Sequence, residues 1–173
     1  YMSLSISARP NVQLGSALQN LIDYPYGCVE QTSSKLLSLL YAADVFADDR
    51  KEMIDSMVKA GIARLWSMQT RSGGLSYWPG SSEPYLWGTA YAATCLIEAQ
   101  NAGYEIDSEF TSELTKYLEQ QLKNTGYEEI DINTKALICR VLAVFDDPPL
   151  GWMARLLEQK EKLDLAGTAH LAA

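Results

Sequence analysis

The helical segments of this 173-residue chain alternate between two characters, and that alternation limits the folds open to it. Residues 50–69 place Ile54, Met57, Val58, Gly61, Ile62, Leu65 and Met68 on one stripe with charges opposite, the pattern of a helix with one covered face. The run from Leu86 to Ala99 is apolar nearly all round, which demands burial on most sides. Phe110, Leu114, Tyr117, Leu118 and Leu122 return to a single stripe. Ala136, Leu137, Ile138, Val141, Leu142, Val144 and Phe145 are again apolar all round, and Trp152, Met153, Leu156 and Leu157 stripe once more. Outer helices covering inner ones account for this order, as in a ring of helical hairpins. Gly, Pro, Asp and Asn punctuate the predicted helices.

Only the first residues depart from helix. Ser3-Leu4-Ser5-Ile6-Ser7 alternates polar and apolar before Ala8-Arg9-Pro10, which predicts a short strand. The expected organisation is therefore a strand or linker of a neighbouring domain over 1–10 and an all-α domain over 11–173.

Charge and cysteine content remove several functions. Fourteen basic against 22 acidic residues give a net charge of −8, with no Lys/Arg cluster and no interleaving of basic with aromatic side chains. Nucleic acid and anionic membranes are not expected partners. No apolar run reaches the roughly 18 residues of a spanning helix, so direct membrane insertion is not expected. Cys28, Cys95 and Cys139 make no disulfide framework, and the last two sit in apolar helical runs as buried thiols. His170 is the only histidine, which excludes a His-rich zinc site, and nothing implies a metal or cofactor.

The chemistry lies in Cys28-Val29-Glu30-Gln31, set within Tyr24-Pro25-Tyr26-Gly27 and Thr32 just before a helical pattern. With Cys28 opening a helix, Gln31 stands three positions on, and both side chains emerge on one face about a turn apart. Attack of the Cys28 thiolate on the Gln31 side-chain carbonyl, with loss of ammonia, would leave an internal thioester, a stored electrophile. The unpaired N–H groups of a helix N-terminus stabilise negative charge on sulfur and on an oxyanion. Gly27 accepts a tight backbone conformation, while Pro25 restrains the turn and biases Tyr24 away from helix. Tyr24 and Tyr26 are expected to form an apolar lid against water. Glu30 is a candidate acid or base, or simply a first-turn acid favoured by the helix dipole.

Tyr-Pro-Tyr-Gly-Cys-Val-Glu-Gln-Thr, residues 24–32, resembles the thioester motif of the alpha-2-macroglobulin and complement family, Pro-Tyr-Gly-Cys-x-Glu-Gln, and its ending looks like the bacterial branch. Residues 68–78, with Gln69, Gly73-Gly74 and Tyr77-Trp78, resemble the turn that joins hairpins in α/α-toroids. The resemblance implies an α/α-toroid, of which this chain would hold about the first half, the family domain running on past Ala173. It implies an endopeptidase inhibitor rather than an enzyme. Cleavage of a bait region elsewhere would expose the thioester, and the Gln31 acyl carbon would link to an amine of the target protease, with Cys28 as leaving thiolate. Other domains of the parent protein would be its partners, and the address would be the periplasm or cell envelope. Some animal members carry a histidine before the third inner helix that steers transfer toward hydroxyls; the matching stretch here, 126–131, has none, so direct transfer to amines is expected.

Two other readings stay open. Cys28 can serve as the turnover nucleophile of a hydrolase or acyltransferase, and a Cys-His pair would have to join it to His170, the one histidine. The motif can also stand in a structural toroid module that never forms the bond. Asp146-Asp147, before Pro148-Pro149, reads as a helix-ending turn. Trp78, Tyr85, Trp87 and Tyr91 are assigned to core packing.

Overall fold

A computed structural model describes residues 27–42, 51–124, 130–145 and 147–172. The strand expected within 1–10 lies outside them. Among the described residues the chain is all-α, with seven helices and no strand. These are α1 (Val29–Ala42), α2 (Lys51–Trp66), α3 (Leu86–Asn101), α4 (Ser108–Lys123), α5 (Ile132–Val144), α6 (Leu150–Glu158) and α7 (Leu165–Ala172), with a 3-10 turn at Lys160–Lys162.

Packing follows the alternation in the sequence. Helix α1 packs on α3, α3 on α5 and α5 on α7, while α2, α4 and α6 lie against this series from outside. The inner helix α3 is covered on most sides, burying Ala90, Ala92, Ala93, Cys95, Leu96 and Ile97, while the line of Trp87, Tyr91, Thr94 and Glu98 is less covered. Its small side chains let neighbouring helices approach closely. Helix α5 likewise buries Ala136, Leu137, Ile138, Cys139, Val141 and Leu142. The outer helix α4 buries its expected stripe of Phe110, Leu114, Tyr117, Leu118 and Leu122. Two expectations fail at the edges: Leu157 is 61% exposed and Val144 50% exposed. Leu157 follows Leu156 by about 100° around α6, so when Leu156 takes the contact with the core its neighbour turns to solvent.

Aspartates start three of these helices, Asp164 capping α7 through a 2.7 Å bond from the Gly167 N–H. Asp107 Oδ1 accepts from the Glu109 and Phe110 N–H groups at 2.9 and 3.0 Å. Asp131 Oδ1 accepts from the Asn133 and Thr134 N–H groups, both at 3.0 Å, and its second oxygen accepts from the Thr134 hydroxyl. Burial pushes the Asp131 carboxyl upward, but these donated bonds outweigh it and hold the group below its ordinary value.

The connection from α2 to α3 is the piece that positions the site. Gln69 pairs with Leu75 as an isolated antiparallel bridge, and the Gln69 side chain donates to Gly73 O at 3.2 Å and Phe110 O at 3.1 Å. Gly73 sits at φ +90°, and a Cβ there would meet Glu113 O at 2.2 Å, so the turn docks on α4 only with glycine. Leu75 is fully buried, and its N–H donates to Thr89 Oγ1 at 2.8 Å. Ser76 Oγ, also buried, bonds the Met68 and Trp78 carbonyls at 3.0 and 2.7 Å. The next residue, Tyr77, accepts from the Val29 N–H at 3.0 Å. The turn thereby reaches the start of α1.

Candidate functional site

Cys28 is the residue before α1, and its carbonyl accepts from the Thr32 N–H at 2.9 Å, the first bond of the helix. The Cys28 N–H donates to Gln31 Oε1 at 3.2 Å. This is one half of a capping box, in which the side chain three residues into the helix returns to the N–H of the cap residue. Capping thus folds the Gln31 amide carbonyl back over Cys28. The cysteine is buried, 2% exposed, whereas Gln31 is exposed. An electrophile formed here would keep its sulfur covered and present its acyl group outward.

Gly27 is buried, and its carbonyl is gripped from outside the motif. Arg64, on α2, donates to it from Nε at 3.1 Å and from Nη2 at 2.7 Å, and Thr32 Oγ1 adds a longer bond at 3.4 Å. The planar guanidinium fixes the peptide that enters Cys28 with two charge-assisted bonds. Tyr24, Pro25 and Tyr26 lie outside the described residues.

Glu30 is half-buried, and its Oε1 accepts from the Tyr85 hydroxyl at 2.9 Å. The Tyr85 ring meets that of Tyr77 edge to face, with centroids 5.5 Å apart. The neighbourhood of Cys28 first, and then the Glu30 charge, pushes the Tyr77 phenol up to about 12. Burial, followed by the bond to Glu30, raises Tyr85 as well. The aromatic series continues in both directions: Trp78 stands edge-on to Tyr77, and Trp87 lies between Tyr85 and Tyr91.

Of the aromatics assigned to core packing, Tyr85 and Tyr91 do pack against the core, and the assignment of Trp78 and Trp87 is corrected. Trp78 is 47% and Trp87 39% exposed, and Tyr85 and Tyr91 are only partly buried. Tyr91 also exchanges a hydroxyl hydrogen bond with Ser34 of α1 at 3.1 Å. These rings border the face that carries Cys28, Glu30 and Gln31. The sequence does not single out Arg64 at all, and it offers Tyr77 and Tyr85 only as turn and packing residues, because their partners at the site lie far along the chain.

The remaining candidates sit elsewhere. His170 is on α7, half-buried, with Arg140 and Asp164 as its electrostatic neighbours; burial first, then the Arg140 charge, hold its imidazole below the ordinary value. The structure does not bring it to Cys28, which weakens the Cys-His reading. Cys95 and Cys139 are buried free thiols, both pushed up to about 12 by burial. Asp147 is exposed and its N–H closes the turn after α5 on Leu142 O at 3.0 Å, while Asp146 lies outside the described residues. The stretch 126–129 also lies outside, and Asp131 at its end is the cap of α5. Among the described residues no helix is long and apolar enough to cross a membrane.

Residues 2–135 match the family described as A-macroglobulin TED domain. Alpha-2-macroglobulin of Escherichia coli (strain K12) is 31% identical over 172 residues, an alignment that takes in 91% of this chain and 10% of that protein. The chain belongs to the bacterial alpha-2-macroglobulin family, as its thioester-containing (TED) domain. Among solved structures, Salmonella alpha-2-macroglobulin reacted with methylamine superposes with a TM-score of 0.73 at 30% identity, over 89% of this chain and 11% of that one. Trypsin-activated alpha-2-macroglobulin from Escherichia coli gives 0.69 at 26% identity, over 86% and 13%. The chain spans about a tenth of the length of the curated alpha-2-macroglobulins it matches. The TED domain is an α/α-toroid, and the family is one of protease-trapping proteins.

Proposed function

We propose that Cys28 and Gln31 form an internal thioester and that this domain is the covalent-capture element of a protease-trapping alpha-2-macroglobulin. The observation that carries the reading is the bond from the Cys28 N–H to Gln31 Oε1, 3.2 Å long. It folds the Gln31 side-chain carbonyl back to the Cys28 backbone, the side on which thiolate attack would occur, and it would supply a donor for the oxygen that becomes negative during attack. The motif's family and the reaction of the Salmonella relative with methylamine support it.

In this reading the thiolate of Cys28 displaces ammonia from the Gln31 amide once, on folding. Cleavage of a bait region elsewhere in the parent protein then uncovers the bond. A lysine amine of the protease attacks the Gln31 acyl carbon, an amide forms, and Cys28 leaves as thiolate. The domain reacts once and does not turn over, so it acts as an inhibitor, at work in the periplasm or cell envelope. Transfer goes directly to amines, since no histidine occupies 126–131.

The test is to challenge the parent protein with trypsin and look for a complex that survives denaturation, joined from Gln31 to a protease lysine. Labelled methylamine and labelled glycerol offered together during activation should compete in favour of the amine. Preferential glycerol uptake contradicts direct transfer. Repeated product release from one Cys28 would instead establish the hydrolase reading.

A further inference from the structure

We propose that Arg64 activates the Gln31 carbonyl toward amines by lending its charge to the peptide group that lies between them, a role that rests on the thioester reading. Gly27 O and the Cys28 N–H are the two ends of one peptide bond. Arg64 donates to the oxygen end from Nη2 at 2.7 Å and from Nε at 3.1 Å, and the hydrogen end donates to Gln31 Oε1 at 3.2 Å. Cation, peptide and acyl oxygen form one hydrogen-bonded series.

A peptide bond transmits polarisation because its carbonyl and nitrogen share electrons. Two charge-assisted donors on Gly27 O draw density from the nitrogen, and the Cys28 N–H becomes a stronger donor, as hydrogen bonds in a chain strengthen one another. Among the described residues no carboxylate pairs with Arg64, so its charge is not offset there by an ion pair. Packing brings the groups close. Gly61 lies three residues before Arg64 on the same face of α2, and a Cβ there would stand 3.3 Å from Leu36 Cδ1 of α1, so the two helices meet tightly at this point. A Cβ on Gly27 would meet Gln31 Cβ at 3.1 Å, so the polarised peptide lies directly against the acyl residue. Arg64 is half-buried and Gly27 buried, which limits screening of the contact by water.

During the reaction the amine nitrogen bonds the Gln31 acyl carbon, and the carbonyl pair moves onto Oε1, facing the Cys28 N–H. A polarised donor gains most from that negative charge, so its contribution is larger in the transition state than in the ground state. Collapse restores the carbonyl, breaks the carbon–sulfur bond and leaves the pair on Cys28 Sγ. The proton shed by the amine ends on that sulfur, giving an amide at Gln31 and a thiol at Cys28 with no other reagent consumed. Arg64 touches no reacting atom; it is a positioning residue that acts through the Gly27–Cys28 peptide. The same oxyanion arises when the Cys28 thiolate first displaces ammonia, so Arg64 assists formation of the bond as well as its opening.

The experiment uses the full-length parent protein in three forms, unsubstituted, Arg64→Lys and Arg64→Gln. Both variants lose the planar fork, but lysine keeps the charge while glutamine keeps only a neutral donor. Intact mass and thiol titration show whether each carries the thioester, and thiol release is then followed with methylamine. Arg64→Lys should react within about threefold of the unsubstituted rate and Arg64→Gln about tenfold more slowly, a fraction of what loss of a whole oxyanion donor costs. The thioester carbonyl stretch, read as the infrared difference before and after methylamine, should rise in Arg64→Gln and not in Arg64→Lys, because a weaker donor leaves the carbonyl more double-bond character. An Arg64→Gln protein that lacks the bond while Arg64→Lys carries it also supports the assignment, since formation passes through the same oxyanion. An Arg64→Lys protein without the bond, or an Arg64→Gln protein that reacts as fast as Arg64→Lys, overturns it and leaves Arg64 as a clamp. Absence of the thioester in the unsubstituted protein overturns both this inference and the reading beneath it.

Discussion

The Cys28 N–H donates to Gln31 Oε1, so one hydrogen bond both caps α1 and polarises the Gln31 side-chain carbonyl. Stability and chemistry can be separated at these two positions. Cys28→Ser keeps the N–H and offers a good capping hydroxyl, so it should unfold within about 0.5 kcal/mol of the unsubstituted protein while losing all amine uptake. Gln31→Leu removes the acceptor as well as the acyl group and should cost about 1 kcal/mol besides abolishing uptake. Denaturant unfolding alongside methylamine incorporation measures both.

Arg64 joins α2 to the peptide entering Cys28 through two bonds to Gly27 O. In Arg64→Met that carbonyl keeps only the 3.4 Å bond from Thr32. The expected loss is about 1.5–3 kcal/mol, the range for hydrogen bonds from a charged donor. Arg64→Lys should recover only part of it, because an ammonium cannot present the same planar fork. Hydrogen exchange should rise at Val29 and Thr32 in both variants, ahead of any change in α4.

Gly73→Ala tests how the α2–α3 turn supports the site. The substitution places a Cβ at positive φ and 2.2 Å from Glu113 O, so the turn must lift from α4. A destabilisation of about 2 kcal/mol or more is expected, seen as a lower unfolding midpoint. Since Tyr77 belongs to the same turn, its carbonyl's bond from the Val29 N–H should loosen too, and hydrogen exchange at Val29 should rise.

Asp131 gives the fold a predictable acid limb. Its carboxyl is held below the ordinary value in the folded chain, so its contribution is present above the unfolded value of about 4 and is lost as pH falls through the folded one. Asp131→Ala should cost about 1 kcal/mol at neutral pH, and the difference from the unsubstituted protein should shrink as the solution is acidified through that window. Thermal melts between neutral and strongly acid pH check the sign.

How far the sequence can be read depends on how local each signal is. The α4 stripe is legible because Phe110, Leu114, Leu118 and Leu122 repeat within one helix, and α3 and α5 are legible because an all-round apolar helix must be enclosed. Leu157 misleads, since a stripe names a face but not how much of it a neighbour covers. At the site, Cys28 and Gln31 are three residues apart and one turn of helix brings them together. Arg64 and Tyr85 lie 37 and 55 residues from the groups they bind; the packing of α2 on α1 delivers the first, and the α2–α3 turn, folded against α4, the second. Trp78 and Trp87 look like core by composition, yet an aromatic in that turn borders the site when the next helix begins beside Cys28.

Intact mass of the parent protein before and after methylamine tests the central claim most directly. The account predicts a starting mass short by one ammonia and no free thiol at Cys28. One methylamine should then add at Gln31 as one thiol is released at Cys28. A starting mass equal to that of the unmodified sequence, with Cys28 already free and no uptake of amine, would contradict it.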